Sequence, residues 1–406
     1  MLLLLFLVMA AGEDDLPSLL RETLEHNPEV LAAQKKYEAA RQRPSQVSSL
    51  PDPMFSPSYA SSGAPWPGAG LGKEPTSNIG FMVSQEFPAP GKRRLMGDMA
   101  EREADAEFQD YQQAKLSVVS RVKQAYYKRA YAFAALAVID KNLDLMNRVL
   151  RVTEVRYAAG KAAQQDVLKT QTQITILETR RVQFDREQKA REAELLSLLN
   201  RRPGGALQHP QPLSPLENTA SLDVLYAAAR QNSPMLRRDE KMIQRAELAV
   251  NLARKDYFPD TTVRAGYFTM GTMPDMFQFG VDLKIPAYFF RKQRFAANEQ
   301  AQTLVQSRRT YEASSQSLTF RIKDDHLMAQ TSAQLVKLYH DAVIPQATLT
   351  LESSLAAYET GGVDFLTVLT NLITVAEYEM NYWEELQNVH LSMARLEEMT
   401  GKGLLP

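Results

Sequence analysis

The feature that most constrains this chain is that it is written twice. Tyr157-Ala-Ala-Gly160, followed by Val167-Leu168, recurs 201 positions later as Tyr358-Glu-Thr-Gly361 followed by Val368-Leu369. The same offset places Leu195 and Asn200 on Leu396 and Gly401. Towards the start of each copy, Asn27-Pro28 parallels Ser233-Pro234, and Ile79-Gly80 through Pro88 parallels Phe279-Gly280 through Pro286. Self-similarity at a fixed offset means one structural plan used twice. The chain accordingly divides into 1–12, a first repeat over 13–200, a linker over 201–221 with four prolines and Gly204-Gly205, and a second repeat over 222–406.

Each copy reads as helix, two strands, long helix, turn, helix. Leu136, Ile139, Leu143, Met146 and Leu150 step by three and four, as do Phe365, Val368, Leu372 and Val375, and then Tyr382, Leu386, Val389, Met393 and Leu396. Such spacing makes a narrow seam for antiparallel coiled-coil packing. From Lys92 to Ala159 there is no proline and one glycine, Gly97. A helix there would be about 100 Å long at 1.5 Å per residue. In the second copy Pro345 interrupts the matching stretch, and a kink or break is expected there because the ring blocks one backbone bond.

The strand segments alternate. Ile79, Phe81, Val83 and Phe87 are interleaved with Gly80, Met82, Ser84 and Glu86, and Phe277, Phe279, Val281, Leu283 and Ile285 with Gln278, Gly280, Asp282 and Lys284. Met54 to Ala60 and Thr261 to Met270 supply two further partners. One apolar face and one wet face suit either a sheet lying on a soluble core or a transmembrane barrel. Because barrels of the outer membrane begin at about eight strands, four strands make a barrel only by pooling with other copies.

Composition narrows the function. A net charge of −1 with scattered basic residues leaves no footprint for nucleic acid. Cysteine is absent, which removes disulfides and thiol chemistry. No nucleophile elbow, phosphate loop or His-Glu-x-x-His occurs, so an enzyme is not expected, and no cofactor is implied. Leu2 to Ala11 followed by Glu13-Asp14-Asp15 fits a signal peptide cleaved near Ala10 to Gly12, although no Lys or Arg precedes the apolar run.

With His26-Asn27-Pro28, Gln85-Glu86-Phe87-Pro88 leading into Gly91-Lys92-Arg93-Arg94, and the repeated Tyr-x-x-Gly turn before Asp166-Val167-Leu168, the chain resembles the TolC-like outer membrane efflux proteins from Leu16 to Lys402. The resemblance implies a mainly α protein with a membrane β-barrel portion: a homotrimer whose four strands per chain close a 12-stranded barrel above an α-helical barrel. It implies an outer-membrane duct with a large periplasmic portion in a Gram-negative cell. Its partners would be outer membrane lipid, a periplasmic adaptor (membrane fusion) protein and an inner-membrane pump of the RND type, with drugs or metal ions as cargo. The Phe87 to Arg94 segment looks most like the heavy-metal branch. The rival class is an exported coiled-coil scaffold without channel activity, which the helices alone would satisfy.

Mapped through the Tyr-x-x-Gly turn, the family's pore constriction falls on Thr367 and Thr370, with Asp364 one turn earlier and Asp166 in the first copy. Asp364 is equally placed to cap the helix that begins at Phe365. Gly160, Lys161, Gly361 and Gly362 would form the tip that meets the adaptor, although glycines after helices ordinarily serve as left-handed caps. Phe81, Val83, Phe279 and Val281 would face lipid, and Glu86, Asp282 and Lys284 the barrel lumen. Met270-x-x-Met273-x-x-Met276 is a weak candidate for a soft metal ion, with an ordinary loop in a chain of 16 methionines as the alternative. The histidines show no metal-ligand spacing.

Overall fold

The computed structural model describes residues 15–216 and 220–401, so the signal-peptide segment over 1–12 lies outside the described residues. In chain order the elements are α1 (Leu16–His26), α2 (Pro28–Ala40), α3 (Arg43–Ser48), β1 (Met54–Ala60), β2 (Asn78–Phe87), α4 (Lys92–Ala158), α5 (Gln164–Leu198), α6 (Leu222–Asn232), α7 (Pro234–Lys255), β3 (Asp260–Met270), β4 (Met273–Lys284), α8 (Lys292–Leu338), a π-helical turn (Tyr339–Val343), α9 (Ile344–Thr360) and α10 (Phe365–Thr400). The repeat is visible in this order, and it reaches the backbone. Asn200 and Gly401, aligned in the sequence, both hold left-handed backbone at a helix end, with φ 56° and 66°. Asn and Gly are the residues that tolerate this conformation.

Two compact units are present, and they do not follow the two halves of the sequence. One takes 15–33, 111–216, 220–234 and 316–401, the other 34–110 and 235–315. In the first unit Leu195, Leu199, Val122, Tyr126, Tyr127, Leu386 and Ala394 form one buried cluster. Met146, Leu177, Leu351, Tyr358, Phe365, Val368 and Leu372 form another. Met146, Phe365, Val368, Leu372 and Leu386 come from the seams marked by three-and-four spacing; the others are not seam residues. Asn27 ends α1 and opens α2 at once: its Oδ1 accepts from the N–H groups of Glu29 and Val30, and its Nδ2 donates to the Leu198 carbonyl. That is the physical content of the Asn-Pro signature, a cap followed by a proline that has no N–H to satisfy.

The stretch over 201–216 is not a loose connector. Leu207 and Leu213 are buried in the first cluster, Arg129 donates to the carbonyls of Leu207 and Gln208, the Tyr126 hydroxyl accepts from the Gln211 N–H, and His390 Nε2 meets the Ser214 carbonyl. Burial pushes the His390 pKa down. Beside it lies a buried ion pair, Lys123 with Glu397, and burial followed by the Glu397 charge pushes the Tyr127 phenol up.

At Pro345, where a kink or break is expected, the helix is disturbed but not broken. The turn before it widens to π geometry, with the Ile344 N–H bonding to the Tyr339 carbonyl. One widened turn absorbs the missing donor and the ring, and α9 continues to Thr360.

In the second unit the strands form one antiparallel sheet in the order β1-β2-β3-β4. The register pairs Phe55 with Val83, Val83 with Ala265, and Ala265 with Phe279. Paired residues share a face, so Phe81, Val83, Phe279 and Val281 lie together on one side. Opposite them run Glu86, Thr262 and Asp282 in a single row, with Lys284 beside Asp260. On that second face Phe268 is buried over Gly80, where an added Cβ would meet the Tyr267 carbonyl oxygen at 2.0 Å. The helices of this unit are laced by ion pairs, Lys36 to Glu107, Arg245 to Glu103, Lys241 to Asp105 and Arg308 to Glu247.

Candidate functional site: helix tips and an exposed apolar sheet face

Two places in the fold have features that internal packing does not explain. The first is the pair of helix reversals in the first unit. After α4, Gly160 has φ +70°, its N–H bonds to the Tyr157 carbonyl, and the Lys161 N–H bonds to the Arg156 carbonyl. After α9, Gly361 has φ +82° and repeats both bonds, to Tyr358 and, from Gly362, to Ala357. Both are Schellman caps. No atom stands within 4 Å of a Cβ added at Gly160 or Gly361. Glycine is needed there for its backbone, not for space.

The helices that follow use opposite halves of one capping device. At the start of α10, Asp364 accepts from the Thr367 N–H at 2.9 Å and from its hydroxyl at 2.5 Å. At the start of α5 the equivalent of Asp364 is Ala163, and Asp166, the equivalent of Thr367, reaches back to the Ala163 N–H at 3.3 Å. A capping box holds both acceptors in one turn; here each copy retains one. The Thr367 hydroxyl, then its N–H, hold the Asp364 carboxyl below the usual aspartate range. Asp364, Thr367 and Thr370 are exposed. They begin a polar stripe down α10 that continues through Thr374, Glu377, Asn381, Glu384 and Asn388 at steps of three and four.

One contact at these tips was not legible in the sequence. The Arg156 guanidinium lies over the Tyr358 ring, 4.3 Å from its centroid, and donates to the Tyr358 carbonyl at 2.6 Å. It joins the end of α4 to the end of α9. The signal available was the presence of both residues in the repeated turn, but nothing in the spacing says that the two copies meet.

The second place is the sheet. Phe279 is 80% exposed, and Phe277, Val281, Leu283, Phe55, Phe81 and Val83 are exposed with it. The described residues leave this face uncovered. Exposed apolar area of this extent marks a surface that meets something apolar. On the other face Arg264 pairs with Asp282 at 3.2 Å, and its side chain occupies the room left by Gly280, where a Cβ would lie 2.6 Å from Arg264 Nε.

At the helix end of the sheet, Lys92 bonds both oxygens of Asp260, at 2.9 and 3.1 Å, and meets Asp256 at 3.0 Å. Burial opposes its charge, but these carboxylates outweigh that and raise its pKa. Lys92 thus ties the β2–α4 junction to the α7–β3 junction, a role for the Gly91-Lys92 pattern that its sequence position did not reveal.

The methionines are not brought together as a metal site. Met270 and Met273 pair across the β3–β4 turn, but strand alternation sends Met273 and Met276 to opposite faces of β4. Among the described residues no helix is long and apolar enough to cross a membrane.

Comparison with known proteins identifies the family. The chain matches the outer membrane efflux protein family over residues 19–201 and 225–402. The fold is similar to that of CusC, with TM-score 0.82 and 17% identity over 97% of this chain and 93% of that one. It is equally similar to the outer membrane protein VceC of Vibrio cholerae, with TM-score 0.81 and 16% identity over 96% of this chain and 97% of that one. The toxin and drug export protein A of Aggregatibacter actinomycetemcomitans is 24% identical over 168 residues, 41% of this chain and 36% of that protein. An uncharacterised protein of Haemophilus influenzae aligns over a similar share, 37% of its length, so the chain matches little more than a third of these curated relatives. None of these likenesses singles out the heavy-metal branch. The chain belongs to the outer membrane efflux protein family, whose fold is that of transport channels of the outer membrane and not of enzymes.

Proposed function

We propose that three copies of this chain pool their sheets into a 12-stranded barrel and their helices into a tunnel, forming the passive outer-membrane duct of a tripartite efflux pump. The observation that carries this is the sheet itself: four strands whose outer members, β1 and β4, each lack a second neighbour among the described residues, with an exposed apolar face on one side and Glu86, Asp282 and Lys284 on the other. An open apolar sheet of this kind is satisfied when copies pair edge to edge within lipid. In this reading Phe81, Val83, Phe279 and Val281 meet lipid and the acidic and basic side chains line a wet lumen. The tips at Gly160, Lys161, Gly361 and Gly362 receive a periplasmic adaptor, and an inner-membrane pump supplies the cargo. Asp364, Thr367, Thr370 and Asp166 lie at the narrowest part of the tunnel, where three symmetry-related Asp364 side chains concentrate negative charge and favour cations.

Membrane fractionation and planar-bilayer recording test the duct. The full chain is expected in the outer-membrane fraction and, after purification in detergent, to give discrete conductance steps. A chain that stays in the soluble fraction once membranes are pelleted would be the coiled-coil scaffold instead.

A further inference from the structure

In the second unit, ion pairing is the rule along the helices and fails at one end. Arg43, Lys36, Lys241, Arg245 and Arg308 all meet a carboxylate within 4.0 Å. Where α4 begins and α7 ends, beside the strand ends, the pattern changes. A groove of about 520 Å³ there is lined by Arg94, Arg254 and Lys255 against the single carboxylate of Asp98. Asp98 stands 3.9 Å from Arg94, whose side chain is 87% exposed. Arg254 and Lys255 meet no carboxylate among the described residues. The neighbouring Asp256 and Asp260 are already engaged by Lys92. The groove therefore carries more positive than negative charge, with nothing among the described residues to compensate it.

Its rim is aromatic and outward. Phe258 lines the groove and is 56% exposed, with the Lys255 ammonium 5.3 Å from its ring centroid. Tyr288, Phe289, Phe290 and Phe295, just past the end of β4, are exposed as well. Aromatics beside cations at the end of an apolar strand face mark the level where hydrocarbon gives way to headgroups. Lys and Arg at that level attract anionic lipid.

We infer that the groove between the start of α4 and the end of α7 holds the phosphodiester headgroup of an anionic glycerophospholipid, clasped by Arg94, Arg254 and Lys255, with Phe258 against the upper part of its acyl chains. The helices begin at this end of the sheet, so the lipid comes from the periplasmic leaflet. This rests on the barrel reading above. Charge selects the ligand: a zwitterionic headgroup brings its own cation and gains less from three bases than an anionic one.

The test is native mass spectrometry of the full chain, purified in detergent, stripped of lipid and offered equal amounts of phosphatidylglycerol and phosphatidylcholine. Phosphatidylglycerol is expected to be retained in about tenfold preference, as its net charge predicts. Arg254→Gln with Lys255→Gln is expected to bring the two lipids within about twofold of each other, while Arg308→Gln, which removes a paired cation elsewhere in the same unit, leaves the preference intact. Equal retention by the unaltered protein overturns the inference, as does a preference that survives in the double variant. Displacement of the bound lipid by water-soluble glycerol phosphate at equal concentration also overturns it, because the groove would then be a phosphate site and not a lipid site. The same spectra count the chains: a trimer without lipid preference removes this inference alone, whereas a single chain, soluble without detergent, removes the barrel reading with it.

Discussion

Asp364 caps α10, and in the proposed duct the same side chain would also face the pore. Its Oδ1 takes both bonds from Thr367, which fixes the carboxylate at the start of α10 and keeps it ionised at neutral pH. Since its pKa is lowered in the folded chain, the capping it provides is present above the ordinary aspartate range and lost only as pH falls through the lowered value. Asn caps about as well as Asp, so Asp364→Asn separates the two roles. The helical circular dichroism of the variant is expected to match that of the unaltered chain, while block of bilayer conductance by divalent ions weakens; unchanged block would remove Asp364 from the pore. Lys123 and Glu397 make a different case, a charge pair buried within the chain. Their side chains are 10% and 8% exposed. Lys123→Met removes the ammonium paired with the buried Glu397 carboxylate, and the expected cost is about 3–5 kcal/mol, much of it recovered when Glu397→Leu is added. Denaturation midpoints decide, and a single variant as stable as the double would mean that water reaches the pair.

The strands and long helices carry their own periodicity, which is why both could be read before the fold was seen. Alternation over Phe277 to Lys284 needs only β4 itself to declare its two faces, and the register with β3 then aligns those faces across the sheet. The seam of Phe365, Val368 and Leu372 likewise needs only α10. Where periodicity is silent, reading along the chain fell short. The Pro-rich stretch over 201–216 has the composition of a loose linker, yet Leu207 and Leu213 are buried because Arg129, Tyr126 and His390, from α4 and α10, satisfy its backbone. Pro345 announces a disturbance but not its form; a widened turn instead of a break depends on what packs around it. The two faces of β4 also give a ranked prediction. Val281→Arg places a charge on the apolar face and is expected to impair assembly by about 2–4 kcal/mol if the site is near the bilayer midplane. Gln278→Arg, on the opposite face, is expected to be tolerated. Yields of folded, heat-resistant protein from the membrane fraction would show the order, and the reverse order would mean that the wet face is the outer one.

At the scale of the whole molecule, the sequence pointed past its own single chain. Strand counting shows that four strands cannot close, and the fold agrees by leaving β1 and β4 at the two edges of one sheet. The contact of Arg156 with Tyr358 shows that the two copies of the plan meet at their tips within one chain. No spacing rule could reveal this, because the partners stand about two hundred residues apart and the contact exists only once the helices are folded together. The proposed duct requires more than one chain. The most direct test is the mass of the protein solubilised from the outer membrane in detergent, measured with the detergent contribution removed, by light scattering or native mass spectrometry. Three copies of a 45.7 kDa chain, less any cleaved leader, are expected. A monodisperse single chain that retains its full β-sheet signal would contradict the proposed duct.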